Sequence, residues 1–98
     1  MIKIEQYRKS IQTICRELSL KRLDIVGSAA RDDFSGESDV DVLVTFDGDN
    51  RLFDRYFELK ERLEKVFERL VDVIEERAVR NPYFRNMIEK DRIRIYGT

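Results

Sequence analysis

Apolar residues recur at alternating steps of three and four near the start of the chain: Ile4, Tyr7, Ile11, Ile14 and Leu18. That spacing draws one stripe along an α-helix and predicts a helix over Lys3 to Leu18. Ser19 and the basic pair Lys21-Arg22 lead out of it. The run Leu23-Asp24-Ile25-Val26 is short and β-branched at its end, which predicts a first strand stopping at Gly27. Ala29-Ala30-Arg31 favour a short helix from Ser28 to about Asp33, broken at Ser35-Gly36. A second strand is predicted from Asp39 to Phe46, and Asp47-Gly48-Asp49-Asn50 has loop composition.

Helical spacing returns with Leu52, Tyr56, Leu59, Leu63, Val66 and Leu70. It predicts a helix from Leu52 to about Glu68, with Phe53, Phe57 and Phe67 widening the buried face. Leu70 to Ile74 reads as a third strand, closed by Glu75-Glu76-Arg77. Asn81-Pro82 is a helix start, Asn as N-cap and Pro at the first position. That helix should run to about Lys90 and bury Phe84, Met87 and Ile88. Arg92-Ile93-Arg94-Ile95-Tyr96 alternates with period two and adds a short edge strand.

Connection lengths turn this order into a topology. Eleven residues separate Gly27 from Asp39, which favours an antiparallel first pair. The helix of about sixteen residues between the second and third strands suits a parallel crossover. The expected fold is α/β (α+β): a small mixed β-sheet of three to four strands with helices packed on it, in a single domain over residues 1–98. Ser28 and the starts of strands two and three then share one end of the sheet, with Asp72 beside Asp39 and Asp41.

Composition narrows the chemistry. Apolar residues make up 42% of the chain and charged residues 40%, a core under a heavily charged surface rather than disorder. The net charge of -1 supplies no global field toward nucleic acid or anionic membrane. No apolar run approaches membrane-spanning length, and charges through Met1 to Leu18 argue against a signal peptide, so a cytoplasmic location is expected. Thirteen Arg against six Lys suit phosphate or carboxylate partners, or an ordinary solvated face. Cys15 is the only cysteine and histidine is absent. An intramolecular disulfide is therefore impossible, Cys15 is expected to act as a small buried hydrophobe, and any metal should be held by carboxylates rather than as zinc.

Asp39 and Asp41, at i and i+2 of a strand, point to one side together. Two carboxylates so close repel unless a cation lies between them, and a hard divalent ion such as Mg²⁺ prefers oxygen ligands. Asp72 interrupts an apolar strand; it is either a third ligand or a plain surface-facing strand residue. The Gly27-Ser28 turn presents backbone N–H groups and a hydroxyl to an anion, and Gly27 lets phosphate approach the backbone closely. An isolated Asp-x-Asp is often only a surface turn. Here all the parts fall at strand ends that the topology brings together, which points to metal-assisted phosphoryl transfer.

Gly27-Ser28, ten intervening residues and Asp39-Val40-Asp41 resemble the Gly-Ser-x10-Asp-x-Asp signature of the polymerase-beta-type nucleotidyltransferase superfamily. The stretch GSAARDDFSGESDVDVLVTF is similar to the minimal nucleotidyltransferases, which carry little beyond the catalytic core; Arg31 and the Ser38-Asp39 pair resemble that subgroup, whereas Asp32 stands where it commonly has glycine. The resemblance implies a nucleotidyltransferase fold. It also implies that Ser28 with Gly27 holds the β- and γ-phosphates of a nucleoside triphosphate and that Asp39 and Asp41 bind two Mg²⁺ ions. Asp72 would complete the nucleophile-side metal and help to deprotonate the attacking hydroxyl. Arg31 would either neutralise phosphate or pair with Asp32 or Glu37.

The same resemblance implies an antitoxin of the HEPN–minimal-nucleotidyltransferase type, similar to MntA-like proteins. Such a protein would transfer AMP from ATP to a tyrosine of a cognate HEPN ribonuclease toxin and could form an oligomer with it. Neutralisation by complex formation alone is the alternative, and transfer to a small molecule a third. No membrane and no direct nucleic-acid partner is expected.

Overall fold

The computed structural model describes residues 4–30 and 39–97. Helix α1 (Ile4–Glu17) leads into strand β1 (Leu20–Val26) and a 3-10 turn over Gly27–Ala30. Strand β2 (Val40–Phe46), helix α2 (Leu52–Phe67) and strand β3 (Val71–Glu75) follow. A second 3-10 turn (Glu76–Ala78), helix α3 (Pro82–Lys90) and strand β4 (Ile93–Tyr96) complete the order. The expected continuation of the short helix to Asp33, its break at Ser35-Gly36, and Lys3 lie outside the described residues.

The strands form one sheet in the order β3-β2-β1-β4. β1 runs antiparallel to β2 and β4, and β2 runs parallel to β3, so the mixed sheet follows the connection lengths as expected. β1 begins at Leu20 rather than Leu23, because a bulge between Leu20 and Arg22 breaks the alternation that would have marked Lys21-Arg22 as strand. β2 begins at Val40, leaving Asp39 just outside it. β3 begins at Val71: the Leu70 side chain is 65% exposed, and only its carbonyl joins the sheet, accepting the Val40 N–H at 3.0 Å.

Strand alternation gives the sheet two unlike faces. Leu23, Ile25, Val40, Val42, Val44, Val71 and Val73 pack with Ile11, Ile14 and Cys15 of α1 and Leu59, Leu63 and Phe67 of α2. This is the main core. Cys15 is fully buried there, and desolvation pushes its thiol up to about 12, the inert role expected of it. On the other face Val26 and Leu43 form a small buried cluster with Ile88 of α3, with Ile74 and Val79 alongside. Among the described residues no helix is long and apolar enough to cross a membrane.

Three aromatic expectations fail, and a fourth apolar one. Phe53 and Phe57 are 75% and 51% exposed. At about 100° per residue they lie beyond the stripe of Leu52, Tyr56, Leu59 and Leu63, so only Phe67 widens that buried face. Phe84 and Met87 are 41% and 63% exposed, leaving Ile88 as the buried residue of α3. The start of α3 is as expected: the Asn81 side chain accepts the N–H groups of Tyr83 at 2.9 Å and Phe84 at 3.3 Å, with Pro82 next.

Side chains of α2 close the outer edge of β3. Lys60 donates to the Val71 carbonyl, Glu64 accepts the Val71 N–H at 3.0 Å, and the Tyr56 hydroxyl donates to the Val73 carbonyl at 3.1 Å. An edge strand whose polar groups are so engaged is a poor template for a foreign strand. At the far end of the sheet Arg55 donates to the carbonyls of Leu18, Ser19, Asp47 and Asn50 at 2.6–2.9 Å, stitching two loops together over the Phe46 ring.

Among the described residues one charged side chain is wholly inside. Asp24 in β1 is 1% exposed and accepts from both Arg92 and Arg94, while Arg92 also donates to Glu76 at 3.0 Å. Burial by itself would lower the Arg92 guanidinium, but its bonds to Asp24 and Glu76 outweigh that and raise it further. The network locks β4 and the α3–β4 turn onto β1. Asp24→Ala leaves two half-buried guanidinium groups facing an empty site and is expected to cost about 3–5 kcal/mol. Urea denaturation checks this as a lowered midpoint at unchanged slope.

Candidate active site

Register assembles the site. Val26, Asp41 and Asp72 are direct partners across β1, β2 and β3, so the end of β1 and the starts of β2 and β3 meet on one level. Alternation then puts Asp41 and Asp72 on the sheet face away from α1 and α2, because their neighbours Val40, Val42, Val71 and Val73 fill the main core. Val40, fully buried and bonded to the Leu70 carbonyl, fixes the backbone on which Asp39 and Asp41 stand.

Gly27 ends β1 with φ +70°, in the left-handed region. A Cβ added there would stand 2.7 Å from Asp41 Oδ2, closer than side chains tolerate. Glycine is thus favoured by the backbone conformation, and any larger residue would also have to push the Asp41 carboxylate aside. The turn backbone consequently lies directly against the central carboxylate. Ala29, 2% exposed, pins the turn to the main core from below. Ser28 lies in this turn; Arg31, with its neighbours Asp32 and Glu37, lies outside the described residues.

The three aspartates differ in surroundings. Asp41 is half-buried, and its carboxyl is raised above the usual carboxylate range by desolvation first, then by the charges of Asp72 and Asp39. Asp39 is exposed at the mouth. Asp72 is exposed too, a surface-facing residue of the edge strand β3. Asp72 therefore carries no burial cost that a metal must relieve. What brings it into the site is its pairing with Asp41.

The donor set suits a hard divalent cation. It consists of carboxylate oxygens, it raises the proton affinity of its central member, and glycine at position 27 sets no side chain of its own against Asp41 Oδ2. Among the described residues, no three acidic or cysteine side chains already stand in metal-holding positions. The strand ends gather the ligands without closing them.

Beside this cluster a cleft of about 270 Å³ opens between the sheet and α3, lined by Val26, Gly27, Asp41, Ile74, Phe84, Met87 and Ile88. Phe84 and Met87 are thus a rim of the site, not core. Their only sequence signal is a surplus: the nine-residue α3 has more large apolar residues than one buried stripe needs. A hollow of similar size, about 250 Å³, lies around Arg55 at the opposite end of the sheet; that arginine's donors are already spent on loop carbonyls, so it is a structural junction.

Comparison with known proteins gives the family and the fold. The nucleotidyltransferase domain family matches residues 8–95. A protein of Methanocaldococcus jannaschii named "Putative protein adenylyltransferase" is 37% identical over 93% of this chain and 92% of its own. A solved structure described as a "putative minimal nucleotidyltransferase" superposes with TM-score 0.77 at 28% identity, covering 92% of this chain and 90% of that one. A chain of the solved structure of a tri-AMPylated Shewanella oneidensis HEPN toxin in complex with MNT antitoxin superposes with TM-score 0.67 at 19% identity, covering 96% of this chain and 72% of that one.

The crowding of Asp41 has a measurable consequence. Because its folded-state pKa is raised, the stability it contributes is present below about pH 4 and lost as pH rises through the folded value. Asp41→Asn is expected to raise Tm by a few degrees at neutral pH in chelator-treated buffer. Thermal unfolding of both proteins across the acid range should show that gap closing below about pH 4.

Proposed function

This chain belongs to the nucleotidyltransferase domain family and is a nucleotidyltransferase, and we propose that it transfers AMP from ATP to a partner protein with the help of Mg²⁺. The observation that carries the reading is the register of Val26, Asp41 and Asp72, with Gly27 closed against Asp41. It sets an anion-accepting turn, a central carboxylate and a solvent-facing carboxylate side by side. The likeness to a relative named as a protein adenylyltransferase supports the transferred group.

In this reading Gly27 and Ser28 receive the β- and γ-phosphates, while Asp39, Asp41 and Asp72 would hold two Mg²⁺ ions, which neutralise phosphate charge when bound. Arg31 would add a further positive charge beside the phosphates. The acceptor hydroxyl oxygen attacks the α-phosphorus as the bond to the β-phosphate oxygen breaks, and pyrophosphate leaves. The hydroxyl proton passes to Asp72, whose exposure opens it to a group arriving from solvent. Most of the acceleration is positional and electrostatic.

The acceptor is proposed to be a tyrosine of a HEPN-domain toxin, which would make this chain an antitoxin; the exposure of Asp72 suits an acceptor as large as a protein. The likeness in fold to an antitoxin bound to an AMPylated HEPN toxin supports that partner. Intact-mass measurement of the cognate HEPN protein after incubation with this chain, ATP and Mg²⁺ tests it. A gain of one or more AMP units is expected, reduced at least about 10²-fold in rate by Asp39→Asn. An unchanged mass alongside a stable, non-toxic complex would replace transfer by occlusion.

A further inference from the structure

We infer that the cleft between α3 and the site end of the sheet holds the nucleobase of the nucleotide substrate, stacked against Phe84 and Met87. The inference rests on the proposed reading of Gly27, Asp39 and Asp41 as the phosphate and metal groups. Its own basis is the shape and composition of the cleft. Val26, Ile74 and Ile88 form an aliphatic floor, and Phe84 and Met87 form a rim one helical turn apart on α3. At about 270 Å³ the cleft sits just below the ~300–1,000 Å³ of small-molecule sites, too small for a docked segment of protein and ample for one planar ring.

Its continuity decides which ring. Gly27 and Asp41 form one wall of the cleft, whereas Asp72 does not line it. The cleft therefore opens from the phosphate side of the site, not from the acceptor side. A group reaching it is one attached to the α-phosphate through a short link, as a base is through its ribose, while the acceptor side chain enters past Asp72.

Phe84 and Met87 suit that occupant. Both are large apolar residues left 41% and 63% exposed, on a helix whose start is held by the Asn81 cap to the Phe84 N–H itself. Their placement is preformed rather than induced. An aromatic ring and a polarisable thioether both favour a flat π-face. A wall of this kind rewards contact area, so a purine should be held better than a pyrimidine.

Calorimetric titration in Mg²⁺ with a non-hydrolysable ATP analogue, its cytidine counterpart and inorganic tripolyphosphate tests the inference. Wild type should bind the adenosine analogue more tightly than either of the others. Phe84→Ala and Met87→Ala, with unchanged Tm, should each weaken the analogue, Phe84→Ala by at least about fivefold, the lower bound for a lost base–aromatic stack. Tripolyphosphate affinity should not move, and Phe84→Tyr should restore analogue binding. Unaltered analogue affinity in both alanine variants overturns the nucleobase slot while the phosphate and metal reading stands. Failure of wild type to bind analogue and tripolyphosphate alike overturns that reading, and the slot with it.

Discussion

The contact on which the rest depends is the approach of the Gly27 backbone to the Asp41 carboxylate. A Cβ at position 27 would stand 2.7 Å from Asp41 Oδ2, so a larger residue there would push the carboxylate aside as well as strain a left-handed backbone. The contact needs β1 and β2 antiparallel, so that the end of one strand meets the start of the other. It also needs β3 parallel to β2, so that Asp72 arrives on the same level. Antiparallel and parallel neighbours in one small sheet are thus a requirement of the site, not an accident of the topology. The cost is a crowd of negative charge that raises the Asp41 carboxyl. Natural proteins carry such local strain where function needs it.

The sheet divides the labour between its faces. One face, covered by α1 and α2, holds nearly all the buried apolar side chains and supplies the stability. Among the described residues the other is covered by the short α3 and a buried cluster around Val26, Leu43 and Ile88, and Asp39 and Asp72 are exposed on it. The Asp24 network with Arg92 and Arg94 anchors β4 to that thinner face, while Tyr56, Lys60 and Glu64 close the edge at β3. Both devices stabilise the frame without intruding on the carboxylates.

Much of this was legible in the sequence, and the rest was not for physical reasons. The stripe of Ile11, Ile14 and Leu18, the Asn81-Pro82 helix start and the parallel crossover through α2 all follow from local periodicity and chain length. The Gly27 to Asp41 motif marked the candidate site because its spacing is short enough to survive as a sequence pattern. The early start of β1 was hidden by a bulge. Phe53, Phe57, Phe84 and Met87 were read as core because composition records that a residue is apolar, not which way a helix turns it. Arg55 and Asp24 could not be found at all. Their importance lies in partners up to 70 residues away, and no local pattern carries that information.

The central claim is that the strand ends form a metal site completed by nucleotide. Electron paramagnetic resonance of Mn²⁺, standing in for Mg²⁺, measures this directly. Titrated into the chain with a non-hydrolysable ATP analogue, Mn²⁺ should be taken up beyond what the analogue binds alone, and Asp39→Asn should remove that excess. Uptake no greater than that of the nucleotide by itself would contradict the account, because the carboxylates would then be gathered for some purpose other than holding a cation.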